Sequence, residues 1–345
     1  MKMKNLQIIF LLILCSLHAC KKTDKGGAAI PPPPAIPGTF AKGADVSWLT
    51  YMEAAGIKFY NTAGTKTEGI ALVKSLGMNT IRLRVWVNPM PAWNNTADVL
   101  AKALRAKNLG MRIMIDFNYS DTLADPGKQT RSAAWAGQDF ATLKLSLANH
   151  TTAVHNELKN NNVTSEWVQV GNETNNGMLW PDGKASVSMS SFAQLINAGY
   201  NAVKSVFPTT KVIVHVSNGH DNSLFRWMFD GLKNNGAKYD VIAMSLYPSP
   251  ANRATLNSQY LANMNDMVAR CNKEVMVAKV GMSWDSPDEC KLFFSGLITK
   301  VKSVTGSKGT GVIYWEPQAY HNFQGYTLGA FDNSGKPTMA LSVFQ

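Results

Sequence analysis

The stretch EVMVAKVG, residues 274–281, reads as a strand covered on both faces. Val275, Met276, Val277 and Ala278 follow one another without the polar alternation that marks a half-exposed strand. A single charged residue, Lys279, then stands where the run gives way to Gly281, Ser283 and Trp284. Seven comparable runs accompany it: GADVSW (43–48), TIRLRVW (80–86), MRIMIDFN (111–118), EWVQVGNE (166–173), KVIVHVSN (211–218), DVIAMSLYP (240–248) and GVIYWEP (311–317). Amphipathic segments such as TEGIALVKSLG, VLAKALRAKNLG and SMSSFAQLINAGYNAVKSVF lie between them. Eight strand–helix units over roughly 300 residues predict an α/β protein, a single-domain (β/α)8 TIM barrel spanning residues 40–345.

The first forty residues differ in kind. Lys2 and Lys4 precede the apolar LQIIFLLILCSL, and LHAC sets the small Ala19 before Cys20. This has the form of a bacterial lipoprotein signal, with residues 1–19 removed and Cys20 lipidated; an ordinary secretory signal is the alternative. Either one exports the chain, to the outer membrane or cell surface or to the periplasm if anchored, and to the medium if not. Residues 20–39 carry four consecutive prolines and no apolar pattern, as expected of a semi-rigid tether. The remaining cysteines, Cys271 and Cys290, flank the 274–281 strand at opposite ends, so two free, buried thiols are expected rather than a disulfide.

The formal charge is +11, or +9 once Lys2 and Lys4 leave with the signal. A basic surface suits nucleic acid, an anionic membrane or an acidic polymer. No nucleic-acid-binding motif accompanies it, so a solvated surface is the plain reading and attraction to an acidic polysaccharide the alternative. The histidines form no ligand spacing and no acidic calcium loop is visible, so neither a metal nor a cofactor is expected. A monomer is expected.

In a barrel of this class chemistry collects at the C-terminal ends of the strands. Those ends are rich in tryptophan, amides, arginine and acids: Asp45, Arg84, Trp86, Asn118, Asp121, Asn172, Asn218, Tyr247, Trp284, Trp315 and Glu316. Aromatic faces stack on pyranose rings while amides and carboxylates take hydroxyls, so the set describes a sugar cleft. Arg82 and Arg84 flank Leu83, and one of them is a candidate ion-pair partner for Asp45 or Asp116.

Taken together, GADVSW, NTIRLRVWVNP, DFNYSDTLADPGKQ, VQVGNETNNGMLWP, SNGHDNSLFRWMFDGL and YWEP resemble glycoside hydrolase family 53, the arabinogalactan endo-β-1,4-galactanases, over nearly all of residues 40–345. The resemblance implies a retaining mechanism on β-1,4-galactan or arabinogalactan, with Glu173 as general acid/base and Asn172 on the sugar 2-hydroxyl. It places the nucleophile carboxylate at position 279, where this chain has lysine. Glu274 lies too far back along the same strand to replace it. An ammonium offers no lone pair, repels an oxocarbenium ion, and favours the ionised form of Glu173, weakening it as an acid. Asn118 and Leu123 stand where the family pattern usually has His and Trp.

Hydrolysis by this chain is therefore expected to be strongly impaired. A non-catalytic galactan-binding surface lipoprotein is the alternative, and a Schiff-base lysine lyase or aldolase centred on Lys279 a remote one. Glu316 is the one nearby carboxylate that could substitute as nucleophile.

Overall fold

The computed structural model describes residues 38–345. Eight parallel strands close on themselves in chain order: β1 (Ala41–Asp45), β2 (Thr80–Val85), β3 (Arg112–Phe117), β4 (Trp167–Val170), β5 (Lys211–Val216), β6 (Val241–Leu246), β7 (Glu274–Val280) and β8 (Gly309–Trp315). The helices between them are α1 (Leu49–Ala54), α2 (Gly69–Ser75), α3 (Thr96–Asn108), α4 (Phe140–Asn160), α5 (Met189–Val206), α6 (Asn222–Asn234), α7 (Arg253–Cys271) and α8 (Pro287–Lys302). The expected (β/α)8 barrel is the observed one, and it closes through β1 pairing with both β2 and β8. The signal segment, Cys20 and residues 21–37 of the tether lie outside the described residues.

Two strand boundaries move for local reasons. GADVSW yields a strand only to Asp45, because Asp45 Oδ1 accepts from the N–H and Oγ of Ser47 and closes a turn. EWVQVGNE stops pairing at Val170, since Gly171 turns to a φ of +86°. Five helix starts are capped by the side chains of Glu68, Asn95, Asp139, Ser188 and Asp221, which accept otherwise unpaired backbone N–H groups. α6 buries Phe225, Met228, Phe229 and Leu232, one apolar stripe at helical spacing.

The barrel interior is layered. Ala41, Met114, Trp167, Ile213, Ala243, Met276, Ala278 and Ile313 form an apolar plug in its lower part, separate from the larger core between strands and helices. Along β7, Met276 and Ala278 face this plug while Val275 and Val277 face the helices. Inward polar side chains are thereby split into two sets: Arg112, Lys211 and Glu274 below the plug, and a larger group above it at the C-terminal ends of the strands. Cys271 and Cys290 are both free, as expected, but only Cys290 is buried; Cys271, at the end of α7, is half-buried.

Candidate active site

Arg82 sets the floor of the upper layers. Its guanidinium reaches Asp45 Oδ2 at 2.5 Å and Asp116 Oδ2 at 2.9 Å, and donates to Gln169 Oε1 and Asn172 Oδ1 at 3.1 and 3.0 Å. Planar fork geometry suits arginine to several acceptors at once. Burial alone would raise the Asp45 carboxyl, but Arg82 and Arg84 outweigh it and hold Asp45 below its ordinary range. Burial does prevail at Asp116, pushing it up to about 6 against the pull of Arg82.

Arg84 points into the same interior two residues on, into different company. It lies 5.1 Å from the ring of Trp48, 5.5 Å from Trp86 and 5.8 Å from Trp315, with Glu316 Oε1 at 3.1 Å. Burial pushes the Glu316 carboxyl up to about 8, although Arg84 opposes this. Its oxygens accept from the Trp48 backbone N–H and from Gln318 Nε2.

Above these floors lies the central pair. Glu173 and Lys279 are each 5% exposed, and Lys279 Nζ is 3.1 Å from Glu173 Oε2. The other carboxylate oxygen, Oε1, accepts from Ser245 Oγ at 2.7 Å. Lys279 faces inward because β7 shifts register against β6: Met244 opposes Val277 and Ser245 opposes Lys279. A bulge of this kind re-aims the residue that follows it. The ammonium also sits 4.7 Å from the Trp315 ring centre and 5.7 Å from that of Tyr247.

His215 completes the support. Its Nε2 lies 2.6 Å from Ser245 Oγ, and its Nδ1 receives the Glu173 backbone N–H and Gln169 Nε2 at 3.3 and 3.0 Å. Burial, with Arg82 and Lys279 nearby, pushes its pKa well below the ordinary histidine value, so the ring is neutral. A proton on Nε2 lets the imidazole donate to Ser245 and Ser245 donate to Glu173. Neither Gln169 nor His215 stands out in the sequence reading; the signal was a lone polar residue at an inward position of an otherwise apolar run.

The strand ends share a backbone peculiarity. Tyr119, Glu173, Asn218 and Glu316 all have positive φ, between 48° and 55°, a region non-glycine residues seldom occupy.

The expected contact residues fall into buried supports and groups near the cleft. Asp45 and Glu316 are fully buried with their oxygens engaged, so both support the cleft from beneath, and Glu316 is in no position to act as nucleophile. Arg84 is likewise buried under tryptophans. Asn118 is buried; it holds Asp116, the Trp86 indole N–H and the Ala124 N–H. Asp121 braces loops, accepting from the backbone of Asn88 and Ala133 and from Ser132 Oγ. Asn172 is buried, gives an Nδ2 hydrogen to Ala124 O and accepts at Oδ1 from Arg82. Trp86 and Tyr247 are half-buried near Arg84 and Lys279, Trp315 lies beneath Lys279, Trp284 is half-buried in the loop after β7, and Asn218 is exposed just after β5. Tyr51 and Trp93, stacked at 5.3 Å between centroids, extend the aromatic wall beyond the predicted set.

A cavity of about 800 Å³ opens at the opposite end of the barrel beside Arg112, Trp167, Lys211 and Glu274. Arg112 pairs there with Glu166 and Lys211 with Glu274, while Lys107 in the same lining forms no ion pair among the described residues. Chemistry of the kind the strand ends offer is absent there.

The family model for glycosyl hydrolase family 53 matches residues 41–292 and 286–344. The arabinogalactan endo-β-1,4-galactanases of Thermothelomyces thermophilus and Humicola insolens are each 32% identical, over 88% of this chain and 98% of theirs. Among solved structures, a fungal β-1,4-galactanase superposes with a TM-score of 0.82 at 32% identity, covering 88% of this chain and 98% of that one. The family 53 catalytic domain of Ignisphaera aggregans gives 0.81 at 28% identity, covering 92% and 98%. The site thus belongs to a glycoside hydrolase barrel. The chain is a member of glycosyl hydrolase family 53, the galactanase family.

Proposed function

We propose that this barrel recognises β-1,4-galactan or arabinogalactan in the cleft above Glu173 and cleaves it at a strongly reduced rate. In this reading Glu173 keeps the place of the general acid/base and Lys279 takes that of the nucleophile. The carrying observation is the 3.1 Å contact between Lys279 Nζ and Glu173 Oε2. Double displacement needs a second carboxylate about 5–5.5 Å from the first to capture the anomeric carbon. Among the described residues, the side chains bonded to the Glu173 carboxylate are Ser245 and Lys279. Neither supplies a carboxylate that could form and later release a glycosyl ester. The named activities of the relatives support the choice of polymer. Reducing-sugar release from galactan tests the reading: turnover at an ordinary enzymatic rate refutes it.

The same ion pair favours a second reading, capture without cleavage by an exported lipoprotein anchored through Cys20. Calorimetry with galacto-oligosaccharides then finds binding that Trp86→Ala or Trp284→Ala weakens about tenfold, as loss of a stacking face would. Absence of binding sinks both readings. The Schiff-base alternative has no support beyond the lysine itself, and failure of borohydride to trap a carbonyl substrate closes it.

A further inference from the structure

The positive charge of this chain is unevenly placed. A (β/α)8 barrel sends every helix C-terminus and every strand N-terminus to one end. Each helix from α2 to α8 has Lys or Arg in its last turn, from Lys74 in α2 to Lys302 in α8. Complementing the helix dipole explains part of that pattern. It does not explain Lys42, Lys211, Lys238, Lys273 and Lys308, which stand on strand starts and turns at the same end. Glu166 pairs there with Arg112, Asp240 with Lys204 and Glu274 with Lys211, while Glu157 at the end of α4 meets, of the described residues, only the Asn161 amide. Among the described residues Lys107, Lys233, Lys238, Lys273 and Lys302 form no ion pair, and Lys42 lies close enough to Lys302 to feel its charge.

The second observation is where the chain comes in. Gly38, Thr39 and Phe40 line the 800 Å³ cavity at this end, with Lys107 and Lys211 beside them. Arg112 donates to Thr39 O, and Lys302 stands over the Phe40 ring at 5.2 Å. Residue 38 therefore lies within the basic end, and the stretch separating it from Cys20 in sequence can reach at most about 60 Å. A lipid on Cys20 would hold this end, and not the cleft, toward the bilayer.

We propose that the basic end of the barrel is a docking surface for anionic phospholipid headgroups, which lays the domain on the membrane with its sugar cleft facing away. Export and anchoring belong to the function proposed above, but headgroup binding by this face does not depend on the cleft being active. Nor does it depend on Cys20 being lipidated. Lysines near an anionic bilayer each add roughly a fivefold gain in partition, and salt screens the attraction over about 10 Å at 0.1 M.

The barrel closes within residues 41–345, so a lipid-free chain from residue 20 carrying Cys20→Ser is suitable for the test. Sedimentation with phosphatidylglycerol-containing vesicles at low salt should carry the protein down, and pure phosphatidylcholine vesicles should not. Combining Lys107→Gln, Lys233→Gln, Lys273→Gln and Lys302→Gln should weaken partition at least about a hundredfold. Combining Lys128→Gln, Lys144→Gln, Lys184→Gln and Lys291→Gln, on loops and early helical turns toward the other end, should change it little. Equal losses in both sets would show net charge acting without a face, and overturn the proposal. So would no binding to the anionic vesicles, or binding to polygalacturonate in their place, which would assign the face to an acidic polymer.

Discussion

Two cations are buried in this barrel under opposite regimes. Arg82 is held by acceptors from β1, β3 and the end of β4: two carboxylates and two side-chain amides. Lys279 has one carboxylate oxygen at 3.1 Å and two aromatic faces, and the cleft opens above it. The first arrangement distributes charge over a closed network, where loss of any member leaves the rest unpaired. The second is a single ion pair on a carboxylate at the cleft, the one proposed above as general acid/base. Burial of a charge thus does not reveal its role; the number of partners and their access to ligand do.

The largest effect should come from breaking the second arrangement. Lys279→Glu restores a carboxylate opposite Glu173, and galactan hydrolysis should rise by about a thousandfold or more, read as reducing-sugar release. No rise would place the nucleophile elsewhere. Breaking the first arrangement should act on folding. Arg82→Met leaves Asp45 and Asp116 buried without their cation and should cost about 3–5 kcal/mol in urea unfolding.

Arg84 lies between the two regimes, and its partner supplies a pH test. The folded chain keeps Glu316 protonated up to about 8, whereas the ordinary value is 4.5. Its contribution to stability is complete below about 4.5 and is lost as the pH rises through about 8. Between pH 5 and 8 the stability difference between the chain and Glu316→Gln should therefore shift toward the glutamine variant, by on the order of a few kcal/mol. A difference that stays flat means Glu316 is ionised throughout. The smallest effect is Lys279→Met, at about 1–3 kcal/mol, since Glu173 keeps its bond from Ser245. A cost equal to that of Arg82→Met would erase the contrast between the two cations.

The barrel was legible because most strands are rich in Val, Ile and Met, as β5 and β7 are, and so read as covered on both faces. Glu173 and Lys279 could be placed opposite one another through the family resemblance. The bulge that turns Lys279 inward could not be read, since strict alternation after inward Ala278 would send it outward. The fate of the acids was hidden for another reason. Asp45, Asp121 and Glu316 look like sugar ligands until their partners are known, and those partners, Arg82, Ala133 and Trp48, come from other elements or loops. His215 and Gln169 were hidden because one polar residue hardly changes the look of an apolar run.

The positive φ shared by Tyr119, Glu173, Asn218 and Glu316 bears on any attempt to transplant this cleft. A side chain leaving a left-handed residue departs along a direction that no regular strand offers, so copying the residues onto an idealised barrel would aim them wrongly. The portable unit is the strand together with its kinked last step. Glycine would relax that step at Glu173 but would delete the carboxylate, so this chain carries a conformational penalty of roughly 1–2 kcal/mol at the residue that meets Lys279.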